Sequence, residues 1–207
     1  MKRIPFDKEG KGERIRMDIE KHLKRMPEFE TERIKLRKLA YSDVEDVFAF
    51  CSNPNVAGPM TWEANRTKED TNEFLRMVIT GYEKGGSGEW AIEWKESGRV
   101  IGVAAFIDWS NKHKCVELGY FLSENHWGKG VATEALQELI HYGFKDLELN
   151  RIEGRSDTDN FGSQKVMKKL GMQHEGTLRK NEWIKGEFRD TEVYGMLAGD
   201  YDSNPDY

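Results

Sequence analysis

The heptapeptide Trp127-Gly-Lys-Gly-Val-Ala-Thr133 decides the fold prediction, because it stands between a predicted strand and a predicted amphipathic helix. Its two glycines let backbone N–H groups turn inward without a clash from a Cβ atom. Those N–H groups and the positive end of the following helix suit a pyrophosphate, and Lys129 adds a positive charge at the rim. The spacing differs from a P-loop and from the dinucleotide motif Gly-x-Gly-x-x-Gly. A tight strand-to-helix turn that needs small residues is the alternative.

Strands and helices alternate on both sides of this loop. The helix after it should run from about residue 130 to residue 144, because its apolar residues are spaced to face a sheet. Ser42 and Glu45 predict a capping box at the start of an earlier helix. The other predicted helices cover residues 68–82 and 161–170, and the predicted strands cover residues 33–39, 90–94, 100–109, 114–122, 151–155, 172–179 and 188–197. This order predicts an α/β domain with a mixed sheet.

Composition limits the classes of protein. A chain of 207 residues can bury one full hydrophobic core, and 37% hydrophobic with 33% charged residues suits a soluble globular protein. No apolar stretch is long enough to span a bilayer, and the first seven residues lack the apolar core of a secretory signal. We therefore expect a cytoplasmic protein without a membrane partner.

Charge is distributed unevenly along the chain. Residues 1–27 hold nine Lys or Arg and five Asp or Glu, a net charge of +4, so the remainder carries −9. An acidic body argues against general nucleic-acid binding and is compatible with cationic, amine-bearing substrates. The apolar residues of one helical face predict an amphipathic helix in this basic arm, docked on the body or on a partner: Ile15, Ile19, Leu23 and Met26. We expect the main domain to span residues 28–198, followed by a loose polar tail, residues 199–207.

Cysteine and histidine patterns predict no metal site. The two cysteines, Cys51 and Cys115, are expected to be small buried residues, and neither lies near a credible histidine base by motif. The five histidines are scattered without metal-ligand spacing. His126, beside the glycine loop, is expected to be an ordinary loop residue.

A second motif follows roughly thirty residues after the first. Asp159-Asn-Phe-Gly-Ser163-Gln-Lys-Val-Met-Lys-Lys-Leu-Gly171 also stands between a strand and a helix. With this pair of motifs, the sequence resembles the GNAT N-acetyltransferase superfamily over about residues 31–197. The resemblance implies a mixed, mostly antiparallel central sheet, splayed at the acetyl-CoA site and flanked by helices. It also implies that the first loop binds the pyrophosphate of acetyl-CoA and that Asn160 contacts the pantetheine arm.

Three further stretches narrow the resemblance. Glu117-Leu-Gly-Tyr-Phe-Leu122, Glu175-Gly-Thr-Leu-Arg179 and Glu182-Trp-Ile-Lys-Gly-Glu-Phe-Arg-Asp190 are similar to the RimJ/RimL branch. Its best-known members acetylate the N-terminal amines of ribosomal proteins. The implied acceptor is a protein N-terminal amine, ribosomal or other. A polyamine or aminoglycoside acceptor, a coenzyme-binding regulatory module without turnover, and an RNA- or ribosome-docking role for the basic arm stay open, as does a homodimer.

The branch resemblance also implies the site residues. Glu117 would be the general base, with an ordinary strand carboxylate as the alternative. Ser163 would protonate or hydrogen-bond the thiolate, because Met167 stands where many members of the superfamily carry a tyrosine; a simple helix cap is the alternative. The implied coenzyme-binding residues are Tyr120, Phe121, Leu122, Trp127, Gly128, Lys129, Gly130, Val131, Ala132, Thr133, Asn160 and Ser163. Four aromatic residues are candidates for the acceptor cleft or the core: Trp62, Trp109, Tyr120 and Trp183.

Overall fold

Eight strands form one sheet in the computed structural model, which describes residues 18–203. The strands are β1 (Phe29–Glu30), β2 (Ile34–Arg37), β3 (Glu89–Trp94), β4 (Arg99–Ser110), β5 (Cys115–Leu122), β6 (Arg151–Asp157), β7 (Gln173–Ile184) and β8 (Glu187–Leu197). The helices are α1 (Ile19–Lys24), α2 (Val44–Cys51), α3 (Pro54–Ala57), α4 (Lys68–Lys84), α5 (Val131–Lys145), α6 (Phe161–Lys169) and α7 (Ala198–Ser203).

The strand order is β1-β2-β3-β4-β5-β6-β8-β7, and only β5 and β6 run parallel. All other neighbouring pairs are antiparallel. Pairing between β5 and β6 stops at Leu118 and Gly154, although β5 continues to Leu122 and β6 to Asp157. The prediction of a mixed, mostly antiparallel sheet that splays beside the glycine loop is therefore confirmed.

Close packing fixes the helices around this splay. The apolar face of α5 is buried against the sheet through Val131, Leu136 and Leu139. On the same side, a Cβ atom at Gly154 of β6 would meet the Met167 sulfur at 2.8 Å. Because Gly154 carries no side chain, α6 can lie directly against β6 at the point where the strands part.

The capping box predicted from Ser42 and Glu45 is wrong. Tyr41–Asp43 form a turn of 3-10 helix, and α2 begins at Val44. The Asp43 carboxylate accepts a hydrogen bond from the Ala40 N–H at 2.8 Å and pairs with Arg37 at 2.9 Å. Arg37, six residues earlier at the end of β2, therefore binds Asp43, and Asp43 rather than Ser42 stands directly before α2.

The first helix of the described range docks on the body. Ile19 and Leu23 of α1 are fully buried in the main core. The Glu20 carboxylate accepts hydrogen bonds from Asn111 Nδ2 at 2.6 Å and Trp109 Nε1 at 2.8 Å, and these contacts lower the pKa of Glu20 to about 2. The helix ends at Lys24, two residues before the predicted Met26, which is nevertheless buried. The first part of the predicted helix, including Ile15, lies outside the described residues.

The predicted loose tail is wrong for residues 199–203. They continue α7, and its Tyr201 side chain is buried. The Tyr201 hydroxyl lies 2.7 Å from His141 Nδ1, and the Tyr201 ring lies 5.0 Å from the Phe144 ring. One aromatic side chain therefore anchors a segment whose other residues are mostly polar. The remaining domain division stays a prediction.

Candidate active site

A cleft of about 1250 Å³ opens where β5 and β6 part. Its walls are formed by both strands, by the ends of α5 and α6 and by the loop that precedes α4. Successive side chains of β5 point to opposite faces of the sheet. Phe121 therefore packs on Phe50 of α2 and Phe74 of α4, whereas Tyr120 faces α6. We refer to these two halves as the α4 side and the α6 side of the cleft.

The glycine loop enters α5 through two left-handed residues. Gly128 has φ 72° and Gly130 has φ 81°, a region in which residues with a Cβ atom are strained. Gly130 is the N-cap of α5, and no side chain caps this helix. The N–H groups of its first turn are thus left for an anion at the positive end of the helix dipole.

Arg33 holds this loop from the neighbouring edge of β2. Its Nη1 donates to the Lys129 carbonyl at 3.0 Å, and its Nε donates to Glu134 at 2.8 Å. Arg33 also forms an ion pair with Glu134, and the Thr31 hydroxyl donates a hydrogen bond to the same carboxylate. Sequence reasoning treated Arg33 only as the start of a strand, and no local signal marked its contact with a loop almost one hundred residues away.

The second motif places polar groups on the α6 side. The Asn160 side-chain oxygen accepts the Ser163 N–H at 3.0 Å, which caps α6 and leaves the Asn160 amide NH₂ as the donor for a ligand. Burial raises the pKa of the Tyr120 hydroxyl, and a hydrogen bond with Ser163 opposes that rise. Ser156 Oγ, in the β6 wall, is buried without a hydrogen-bond partner within residues 18–203.

Glu117 projects from β5 on the α4 side of the cleft. Its side chain is 18% exposed, and its carboxylate lies 3.3 Å from Arg155 Nε. Burial raises the pKa of Glu117, while the positive charge of Arg155 lowers it and Glu153 and Asp108 raise it. The net effect raises the pKa of Glu117 towards neutral pH, and a general base is most effective when its pKa lies near the working pH.

Lys185 joins the β7–β8 hairpin to the end of α3 beside the cleft. It lies at the β7–β8 turn, and its Nζ donates to the Ala57 carbonyl at 2.6 Å and the Gly58 carbonyl at 3.3 Å. At the other end of α3, the side-chain amides of Asn53 and Asn55 donate to Glu124 just before the glycine loop. Helix α3 is thus tied to both the hairpin and the loop.

The structure brings nearly all of the predicted site residues into this one cleft. Glu117 and Ser163 line it, and so does every predicted coenzyme-binding residue except Lys129, whose carbonyl is instead bound by Arg33. Among the aromatic candidates, Trp62 and Tyr120 line the cleft. Trp109 instead binds Glu20, and Trp183 is 63% exposed on β7.

Across residues 18–203, no three His, Cys, Asp or Glu side chains converge in a way that could hold a metal ion. The helices of this range are each too short or too polar to cross a membrane.

Comparison with known proteins shows what the chain is similar to. Residues 33–173 match the family model described as "Acetyltransferase (GNAT) domain". "Uncharacterized N-acetyltransferase p20" of Bacillus licheniformis is 35% identical over 171 residues, which cover 83% of this chain and 96% of that protein. "Ribosomal-protein-serine acetyltransferase" of Escherichia coli is 28% identical over 81% of this chain and 94% of that protein. The crystal structure of a GNAT acetyltransferase from Bacillus anthracis has a TM-score of 0.74 at 28% identity and covers 84% of this chain and 99% of its own.

Proposed function

Because the chain belongs to the GNAT acetyltransferase family and is an N-acyltransferase by class, we propose that it transfers an acetyl group from acetyl-CoA to the N-terminal amine of a protein or peptide. The observation that carries this proposal is the position of Glu117. A carboxylate with a raised pKa stands in the same cleft as an uncapped helix N-terminus that can bind phosphate. The similarity to an enzyme named for a ribosomal protein supports the choice of acceptor.

The residues of the cleft fit acetyl-CoA. The α5 N-terminus and the left-handed glycines Gly128 and Gly130 offer N–H groups to its pyrophosphate. Residues 119–122 of β5 have no pairing partner on β6, so their backbone groups on that edge can bind the pantetheine amides, apart from the Leu122 carbonyl, which accepts a hydrogen bond from Trp127 Nε1 at 2.7 Å. The Asn160 amide and the unpartnered Ser156 hydroxyl lie on the same wall.

Glu117 and Ser163 divide the proton chemistry. Glu117 receives a proton from the acceptor ammonium, directly or through water, and the neutral amine nitrogen then attacks the thioester carbonyl. The new C–N bond forms as the C–S bond breaks, and the acetylated nitrogen then gives up its second proton through water to the released thiolate, so that the products are the amide and the coenzyme thiol. Ser163 donates a hydrogen bond to the departing thiolate, and Tyr120 holds the Ser163 hydroxyl in place from β5. Since a serine hydroxyl is a weak acid, we assign Ser163 to stabilising the thiolate rather than to full proton transfer.

The charges around Glu117 favour a cationic acceptor. Asp108, Glu153 and Glu182 all act on Glu117 with negative charge, and Arg155 is the positive charge that acts on it. This excess of carboxylates attracts a substrate that arrives as an ammonium ion. Burial, the largest cause, and these carboxylates together raise the pKa of Glu117 against the lowering effect of Arg155.

A panel of acceptors tests the proposal. It contains peptides with a free N-terminus, the same peptides with a blocked N-terminus and an internal lysine, a polyamine and an aminoglycoside. Release of the coenzyme thiol and the mass of the product are measured at saturating acetyl-CoA. We expect acetylation of the free N-termini and none of the blocked peptides. Acetylation of the polyamine or aminoglycoside alone would favour a small-amine enzyme, and no turnover with any acceptor would favour a regulatory module.

A further inference from the structure

Glu89 is a carboxylate in the cleft that the proposed mechanism does not use. It is the first residue of β3 and forms part of the cleft wall. Its Oε2 atom is shielded from solvent and has no hydrogen-bond partner within the part of the chain that the structure describes. Burial raises the pKa of Glu89, against the opposing effect of hydrogen bonds from the Ser87 side chain and from the backbone of Glu89 and Gly88.

This lack of a partner sets Glu89 apart. Among solvent-shielded carboxylate oxygens of residues 18–203, Glu89 Oε2 is the one left without a hydrogen bond. Comparable carboxylates are satisfied: Asp43 by Arg37, and Asp157 by Arg189. A buried carboxylate oxygen without a hydrogen bond costs free energy, and a donor from a ligand in the cleft would supply that bond.

The sheet register places Glu89 and Glu117 on the same face of the sheet. Glu89 pairs with Ala105 of β4, and Ala105 pairs with Gly119 of β5. Glu117 lies two residues from Gly119, so it faces the same side of the sheet. With strands about 4.8 Å apart and a rise of about 3.4 Å per residue, the two glutamate Cα atoms lie roughly 12 Å apart. Ala105 and Gly119 lie between them in that row, and the exposed Ile107 side chain of β4 lies over Gly119 and offers an apolar surface for the stem of a ligand.

Three aromatic rings line the α4 side of the cleft, on the same face as the two glutamates. Phe121 lies 5.5 Å from Trp62 and 6.2 Å from Phe74, measured between ring centroids. All three line the cleft with Glu89. Aromatic faces attract ammonium and guanidinium groups, and a carboxylate binds the same groups by charge-assisted hydrogen bonds. The combination of aromatic rings and a carboxylate with one unsatisfied oxygen is therefore selective for a cation.

We propose that Glu89 is a specificity residue that binds a second cationic group of the acceptor, while the reacting amine lies at Glu117. The inference rests on the proposed function for the identity of the reacting amine. An extended peptide covers about 3.3–3.6 Å per residue, so the second cation would be a Lys or Arg side chain within about the first three residues. The second ammonium of a polyamine presents the same chemistry.

The first test uses the wild-type protein and a peptide series. One lysine is moved from position 2 to position 8 of an otherwise neutral peptide, with norleucine as the uncharged replacement at each position. We expect kcat/KM to exceed that of the norleucine peptide by at least about tenfold when lysine is at position 2 or 3, the range expected for hydrogen bonds to charged groups. The preference should vanish at position 8. Equal rates with lysine and norleucine at every position would overturn the inference.

The second test assigns the preference to Glu89. Glu89→Gln keeps the shape of the side chain and should abolish the lysine preference through KM, with acetyl-CoA affinity unchanged. Glu182→Gln is the matched control, because it removes one negative charge from another part of the cleft wall and should retain the preference. Loss of the preference in both variants would trace it to the general field and contradict a specific site, as would its retention in Glu89→Gln.

A wrong acceptor class can be distinguished from a wrong role for Glu89. If only polyamines are acetylated, the same comparison is made between a diamine and a monoamine of equal length. Preference for the diamine that disappears in Glu89→Gln would still support the second cation site. An equal rate with the two amines would overturn it.

Discussion

Replacing Glu117 with Gln should lower turnover by about 10²–10⁴-fold near neutral pH, the usual contribution of a general base. Gln cannot accept the proton of the acceptor ammonium, but it preserves the size of the side chain and leaves the glycine loop untouched. Acetyl-CoA affinity, measured by calorimetric titration, should therefore remain that of the wild type. Ser163→Ala should lower turnover less, because water can replace the serine as a partner of the thiolate.

Two charge variants provide the control for Glu117, since they move its pKa in opposite directions. Arg155 lowers the pKa of Glu117, so Arg155→Gln should raise it and shift the acidic limb of kcat/KM to higher pH. Asp108 raises that pKa, so Asp108→Asn should shift the limb to lower pH. A limb that stays in place in both variants, or near-wild-type turnover of Glu117→Gln at every pH, would show that another group is the base.

Gly130→Val should weaken acetyl-CoA binding by about 10–100-fold, the equivalent of the 1–3 kcal/mol that a disfavoured backbone conformation costs. Gly130 has φ 81°, which a β-branched residue adopts only under strain. The nearest protein atom to a Cβ atom at this position is Arg33 Nη2 at 3.7 Å. The damage should therefore come from the altered loop backbone and from a side chain that faces the pyrophosphate, not from a clash in the core.

Lys129→Ala measures how much the side-chain charge contributes to acetyl-CoA binding, as opposed to the backbone conformation of the same loop. Its effect on affinity should be smaller, because the N–H groups and the helix dipole remain and because Lys129 contributes its carbonyl, not its side chain, to the contact with Arg33. Calorimetric titration measures both variants, and circular dichroism verifies that they fold. If the Gly130→Val variant folds and binds acetyl-CoA as tightly as the wild type, the loop is a simple turn and does not bind the coenzyme.

The parts of the site that were predictable from sequence depend on neighbours in the chain. Gly128 and Gly130 precede the helix that they open, and Asn160 caps the helix that carries Ser163. Their spacing along the chain is also their spacing in the site. The sheet was predictable for a similar reason, because each strand has its own alternation of apolar residues.

The missed residues depend on strands that meet only in the folded sheet. Arg33 binds the loop at Lys129, 96 residues further along the chain, and Glu89 lines the cleft because β3 pairs with β4 and β4 with β5. No pattern within a short window contains these contacts, since each is set by register between distant segments.

Binding of acetyl-CoA between β5 and β6 is tested most directly by thermal melts with acetyl-CoA and, in parallel, with NADPH. A ligand that binds only the native state raises stability by RT ln(1 + [L]/Kd), about 2.7 kcal/mol at one hundred times Kd. We expect a rise in Tm with acetyl-CoA that corresponds to this gain, and none with NADPH at the same concentration. No shift with acetyl-CoA, or a larger shift with NADPH, would contradict a coenzyme A cradle at residues 127–133.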